Sequence, residues 1–106
     1  MFVTEFNRIA EEVAEIAKSK GWEVGNEGEK IALMHSELSE ALEALRHGNP
    51  PSDHIPEFTG AEEELADTII RIMDLAHRKG YRVAEALLAK MAFNKTRTFR
   101  HGNKKF

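Results

Sequence analysis

Apolar side chains recur along most of the chain at the three- and four-residue spacing of a helix, and no stretch alternates as a half-buried strand would. The pattern predicts four helices, over residues 4–20, 27–47, 61–79 and 83–98, with Thr4 as the N-cap of the first. Helices of this length with one apolar stripe bury it against one another. We therefore predict an all-α fold, a four-helix antiparallel bundle.

The segment over residues 48–60, GNPPSDHIPEFTG, is too rich in Gly, Pro, Ser and Asp to continue a helix. Gly48 is followed by Asn49 and then by two prolines, Pro50 and Pro51, which ends the second predicted helix. We expect a long loop between helices 2 and 3, and loops of this length often carry function. The domain is predicted over residues 1–100, followed by a basic C-terminal tail over 101–106.

Length and composition limit the classes of protein to consider. A chain of 106 residues is enough for one domain. It contains no cysteine, which excludes disulfides, thiol nucleophiles and thiolate metal sites. No apolar run approaches the ~20 residues that cross a bilayer, and the first residues do not resemble a signal peptide. We expect a soluble, cytoplasmic protein that does not associate with membranes.

The charge is distributed unevenly along the chain. Residues 1–77 carry 17 acidic and 6 basic side chains, whereas residues 78–106 carry one acidic and nine basic side chains. The acidic part would repel a nucleic-acid backbone, and aromatic residues are not interleaved with the basic part as a stacking surface requires. We therefore expect no nucleic-acid partner, and favour a small anionic ligand.

Two acidic pairs stand on different predicted helices. Glu37 and Glu40 lie three residues apart in helix 2, and Glu64 and Asp67 have the same spacing in helix 3. This spacing places both carboxylates of a pair on one face of its helix. If the two faces meet, the four like charges repel one another unless protons or cations neutralise them. An all-oxygen site of this kind suits Mg²⁺, with Mn²⁺ as a substitute.

The alternative is that these carboxylates are ordinary solvated helix surface. On helix 3, the i,i+4 pairs Asp67–Arg71 and Asp74–Arg78 are typical of an exposed, salt-bridged face. Taken from spacing alone, this exposed face is the favoured interpretation of helix 3. In helix 4, a polar stripe presents two cations and an amide that can bind phosphate oxygens, or that are simply solvated: Lys90, Asn94 and Arg97.

The order of these motifs resembles a known family. E-x-x-E, then 23 intervening residues, E-x-x-D, and finally K-x-x-x-N-x-x-R are similar to the three blocks of the MazG-like all-α nucleoside triphosphate pyrophosphohydrolases, which include the dCTP pyrophosphatases. The blocks in this chain read ELSEALEALR, EEELADTIIRIMDLA and KMAFNKTR. The resemblance covers about residues 20–100 and depends on the combination, because each block alone is a weak signal.

The resemblance implies a role for each matching residue. It implies that Mg²⁺ is bound by four carboxylates: Glu37, Glu40, Glu64 and Asp67. Lys90, Asn94 and Arg97 match phosphate-contacting side chains, which can belong to a site shared with another subunit. Trp22 matches a base-stacking tryptophan, with packing between helices 1 and 2 as the alternative. Asn26 and Lys30 are weaker candidates for base or phosphate contact.

The implied reaction converts a nucleoside triphosphate to the monophosphate and pyrophosphate, as in housecleaning of the nucleotide pool. Water is the nucleophile, and Glu40 is the first choice for accepting its proton, with Glu37 as the second catalytic carboxylate. Broad apolar sectors on helices 2 and 3 favour a homodimer or homotetramer. The alternative function is a catalytically silent helical module that binds a nucleotide or a protein. A di-iron bundle is disfavoured because the chain contains no E-x-x-H.

Overall fold

The computed structural model describes residues 1–22 and 25–97, which form four α-helices and no β-strand. The all-α class predicted from the sequence is confirmed for these residues. The helices are α1 (Phe2–Ser19), α2 (Glu27–Arg46), α3 (Gly60–Lys79) and α4 (Val83–Lys95). In this part of the chain, no helix combines the length and the apolar character needed to cross a membrane.

The outer helix ends differ from the prediction. The first helix begins at Phe2 with Met1 as its N-cap, so the prediction that Thr4 caps it is wrong. The fourth helix ends at Lys95, three residues earlier than predicted. Here the Thr96 hydroxyl donates to the Phe93 carbonyl at 2.6 Å, a local hydrogen bond that competes with continuing the helix. Thr98 and the predicted tail over 101–106 lie outside the described residues.

The apolar core joins α1, α3 and α4. Phe6 and Ala10 of α1 contact Met73 of α3 and Ala84 of α4, and three valines pack around this cluster. Ala84 is completely buried, which shows how closely α4 approaches α1. Helix α1 thus packs on α3 through one large side chain from each helix, Phe6 and Met73, beside the small side chains of Ala10 and Ala84.

Helices α2 and α3 run antiparallel beside each other. Arg71 Nε lies 3.9 Å from Glu37 Oε2, and Lys79 Nζ lies 3.7 Å from Glu27 Oε1, so residue numbers increase in opposite directions along the pair. The start of α3 lies against the end of α2 at Gly60. A Cβ atom at Gly60 would be only 3.1 Å from the Ala44 Cβ, which explains a residue without a side chain at this position.

The segment over residues 47–59 folds back on itself between these two helices. Ser52 N donates to the Phe58 carbonyl and Gly60 N donates to the Pro50 carbonyl, both at 2.8 Å. Thr59 then caps α3 in a capping box with Glu62. These hydrogen bonds fix the entry of the chain into α3, and hence the position of the acidic residues in its first turns.

Many large apolar side chains of the described residues remain exposed. None of the large side chains is fully buried, and the exposed fractions on α2 reach 50% at Leu42 and 57% at Leu45. The exposed apolar residues on α2 and α3 are Ile31, Leu33, Leu38, Leu42, Leu45, Leu65, Ile69 and Ile70. These side chains leave a broad apolar surface on α2 and α3 in the single chain.

Candidate metal centre

The facing surfaces of α2 and α3 bring acidic side chains together. Carboxylate oxygens of Glu37, Glu40 and Glu64 lie within 4.8 Å of one another. Asp67, one turn beyond Glu64 on α3, belongs to a second group that meets the same distance criterion together with Glu63 and Glu64. The four carboxylates singled out from the sequence therefore converge on one site at the junction of the two helices.

The electrostatics of the site follow from this crowding. Burial and the charge of Asp67 raise the pKa of Glu37 to about 7, although the nearby Arg71 acts in the opposite direction. Burial and hydrogen bonding to Glu40 and Asp67 raise the pKa of Glu64 to about 8. Both changes have the same physical origin, since partly desolvated like charges cannot all ionise without a neutralising cation or proton.

A fifth carboxylate, Glu63, joins the cluster and was missed from the sequence. Its Oε1 accepts a hydrogen bond from Ser52 Oγ at 2.5 Å, and its Oε2 lies 2.7 Å from His54 Nδ1. These two partners lower the pKa of Glu63, while its carboxylate raises the pKa of His54. A signal was present in the sequence, because Glu63 and Asp67 are four residues apart and share a helix face.

The residues present fit a hard divalent cation. The donor set consists of oxygen atoms alone, which Mg²⁺ and Mn²⁺ prefer over nitrogen or sulfur ligands. Burial, together with the neighbouring carboxylates, raises the pKa values of Glu37 and Glu64, so ionising both groups here is costly without a cation. Glu63 is already bound by Ser52 and His54, so it can orient the loop and the neighbouring Glu64 as an outer-shell group.

A cavity of about 370 Å³ opens beside the carboxylates, between α1, α2 and α3. Glu37 and Asp67 line the cavity at its acidic end. Lys30, seven residues before Glu37 on α2, also lines it. The other lining residues are Val13, Ile16, Ala17, Trp22, Ile70, Arg71 and Asp74. Five of the ten lining residues are apolar and five are charged, so the cavity can take a ligand part with an apolar face and a polar edge.

The interpretation of α3 as an exposed, salt-bridged face is wrong in two respects. Asp74 and Arg78 do pair at 2.9 Å, but Asp74 is buried and lines the cavity. Arg71 contacts Glu37 across the helix pair, and its Nε is buried without a hydrogen-bond partner in the described residues. The inter-helix contact replaces the predicted Asp67–Arg71 pair because α2 packs against this face.

Trp22, Asn26 and Lys30 lie at the other end of the cavity or near it. The Trp22 side chain is 63% exposed at the rim, and its carbonyl accepts a hydrogen bond from Lys30 Nζ at 2.9 Å. Asn26 is the N-cap of α2, where its side chain accepts from Glu29 N. Asn26 thus has a structural role as a helix cap. Lys30 and Trp22 line the same cavity as Glu37 and Asp67.

The polar stripe predicted on helix 4 lies apart from the acidic site in the single chain, and only Lys90 and Asn94 belong to α4, because the helix ends at Lys95 and Arg97 lies beyond it. Helix α4 packs against α1, and Lys90, Asn94 and Arg97 are all exposed. Lys90 Nζ and the Arg97 guanidinium instead lie over the Phe93 ring, at 4.6 and 5.9 Å from its centroid. Among the described residues, no ion pair joins this stripe to the carboxylates, so one copy does not bring the two groups together.

Comparisons with family models, with curated proteins and with solved structures found no match to this chain. The interpretation of the site therefore depends on the geometry of the described residues.

Proposed function

We propose that the protein is a Mg²⁺-dependent nucleoside triphosphate pyrophosphohydrolase, similar to the MazG-like enzymes. It would convert a nucleoside triphosphate to the monophosphate and pyrophosphate. The observation that supports this proposal is the convergence of Glu37, Glu40, Glu64 and Asp67 beside a cavity with a partly apolar wall. Such a site offers a cation for the phosphates and a separate pocket for the nucleoside.

The four carboxylates would hold the cation, and each has a further task set by its position. A bound Mg²⁺ supplies charge neutralisation at the phosphate oxygens and activates water. Glu40 is the most exposed member of its group and is the proposed acceptor of the proton from the attacking water. The new bond forms between the water oxygen and the α-phosphorus, and the bond from the α-phosphorus to the bridging oxygen breaks.

Lys90 of α4 and Arg97, just beyond its end, would act on the leaving pyrophosphate from a second copy of the chain. In one copy, Lys90 and Arg97 have no contact with the acidic site. The apolar faces of α2 and α3 are exposed next to that site, which favours their burial in a homodimer or homotetramer. Sedimentation at micromolar concentration tests the assembly, and a well-folded monomer would contradict it.

The activity is tested with the purified full chain, Mg²⁺ and a panel of triphosphates: dCTP, dUTP, dTTP and a damaged purine triphosphate. We expect release of pyrophosphate with at least one of them, and loss of this release in Glu64→Gln. Glu43→Gln is the matched control, because Glu43 lies on α2 outside the cluster and pairs with His47. Absence of turnover with every substrate would favour a catalytically silent binding module.

A further inference from the structure

Lys30 is a buried cation whose hydrogen-bonding capacity is largely unused. The residue is 8% exposed, and its ammonium donates to the Trp22 carbonyl at 2.9 Å. No carboxylate in the described residues forms an ion pair with it. An ammonium carries three N–H donors, so donors remain for a ligand in the cavity that Lys30 lines. Burial of a charge with so few partners is costly unless a ligand supplies acceptors.

The position of Lys30 along the cavity indicates which part of a ligand it meets. Lys30 precedes Glu37 by seven residues on α2, or about 10 Å along the helix axis. Both residues line the same cavity, together with aliphatic side chains of α1 and α3. With the phosphates at the carboxylates, a nucleoside that enters this cavity would extend along α2 towards Lys30. The edge of the base farthest from the sugar then faces Lys30.

We propose that Lys30 selects the nucleobase by donating a hydrogen bond to a carbonyl oxygen at this distal edge, O6 of a purine or O4 of a pyrimidine. The enzyme therefore prefers oxo bases to bases with an amino group at that position. An ammonium is only a donor, and so is an amino group placed opposite it. The mismatch leaves buried donors unpaired, which is the strongest basis for rejecting a close analogue. This assignment rests on the proposed function for the orientation of the nucleoside.

The first test uses the wild-type chain, nucleosides and a metal chelator, so that no turnover is involved. Trp22 is the single tryptophan and lines the cavity, which makes its fluorescence a direct reporter of binding. Inosine and adenosine differ at position 6, and uridine and cytidine differ at position 4. We expect the oxo member of each pair to bind at least about tenfold more tightly. Equal affinities, or tighter binding of the amino members, would overturn the proposal.

The second test asks whether Lys30 selects the base or only supports Trp22. Lys30→Met keeps the aliphatic stem and removes the ammonium, and Lys18→Met is the control on the exposed end of α1. A selecting role predicts that the inosine-to-adenosine affinity ratio falls towards one in Lys30→Met alone. A purely structural role would weaken both nucleosides equally and leave the ratio unchanged, which would contradict the proposal. Lys30→Gln, which offers both a donor and an acceptor, should also lose the preference.

These results separate the selection of the base from the hydrolysis. Preferential binding of inosine without pyrophosphate release from any triphosphate would support the role of Lys30 and reject the proposed function. Pyrophosphate release without discrimination between oxo and amino nucleosides would support the function and reject the role of Lys30. The wild-type comparison remains decisive even if Lys30→Met does not fold.

Discussion

The acidic cluster between α2 and α3 and the basic stripe on α4 differ in how they are held. The carboxylates come from two helices, are partly buried and alter each other's pKa values. Lys90 lies in α4, Arg97 follows the end of this helix, and both are exposed and lie over the ring of Phe93. The acidic cluster is thus a product of tertiary packing within one chain, whereas the basic residues have a regular spacing but form no ion pair with that cluster in the part of the chain that the structure describes. The tertiary packing of one chain therefore accounts for the acidic cluster, whereas a role for the basic residues at that cluster depends on the proposed assembly with a second copy.

The largest expected effect comes from breaking the acidic side. Asp67→Asn removes one charge from the cluster while preserving the size of the side chain. We expect pyrophosphate release in Mg²⁺ to fall by about 10³-fold, in the range found for losing one transition-state charge stabiliser. Asp53→Asn, in the exposed loop, is the control and should retain activity. If Asp67→Asn released pyrophosphate at the normal rate, Asp67 would not be a ligand of the metal.

A substitution among the basic residues should lower the rate of pyrophosphate release less than Asp67→Asn does, and the two variants should restore activity when they are mixed. Arg97→Ala is expected to lower the rate by about 10- to 100-fold, because one charge-assisted contact to pyrophosphate is lost. Lys95→Ala, also exposed on α4, serves as the control. Mixing inactive Asp67→Asn and weakened Arg97→Ala chains should restore activity, since a mixed dimer contains one intact shared site. If verified mixed dimers showed no restored activity, Asp67 and Arg97 would not act together in one site shared between two copies.

The close approach of the carboxylates should make the free energy of unfolding depend on pH when no metal is present. Folding raises the pKa of Glu37 to about 7 and that of Glu64 to about 8, above the usual 4.5. The folded state therefore binds more protons than the unfolded state over this range, and the free energy of unfolding decreases as the pH rises from about 5 to about 8. We expect a loss of about 2 kcal/mol, less than the full shifts imply because the site opens to solvent.

Urea unfolding at several pH values in a chelator measures this decrease. Glu64→Gln should flatten the dependence, because it removes one of the two titrating groups. Saturating Mg²⁺ should also remove most of the decrease, since the cation stabilises the ionised cluster. A metal-free stability that rises over the same pH interval would be inconsistent with four converging carboxylates.

The smallest effect is expected at the outer edge of the acidic cluster. Ser52 is buried and its hydroxyl donates to Glu63 while accepting from His54 N and Ile55 N at 3.1 Å. Ser52→Ala should lower the free energy of unfolding by about 1 kcal/mol through these unpaired groups. The affinity for Mg²⁺, measured by calorimetry, should weaken several-fold because Glu63 loses the hydrogen bond from Ser52. Ser36→Ala, on the exposed surface of α2, should change neither quantity.

The sequence by itself determined the parts of the fold that depend on near neighbours. Helical spacing predicted the four helices, and Gly80 ends α3 in the left-handed conformation that glycine adopts readily. The three-residue spacing of Glu37 and Glu40 placed both carboxylates on one face of α2. Each of these inferences uses contacts within one or two helical turns, which the order of residues fixes directly.

Only the tertiary structure decided which faces meet. Spacing along α3 paired Arg71 with Asp67, but the packing of α2 gives Arg71 a contact with Glu37 instead. The same packing buries Asp74 in the cavity wall, and the fold of residues 47–59 ties Glu63 to Ser52. The physical reason is that side chains far apart in sequence compete with local partners, and the winner depends on the register and rotation of the packed helices.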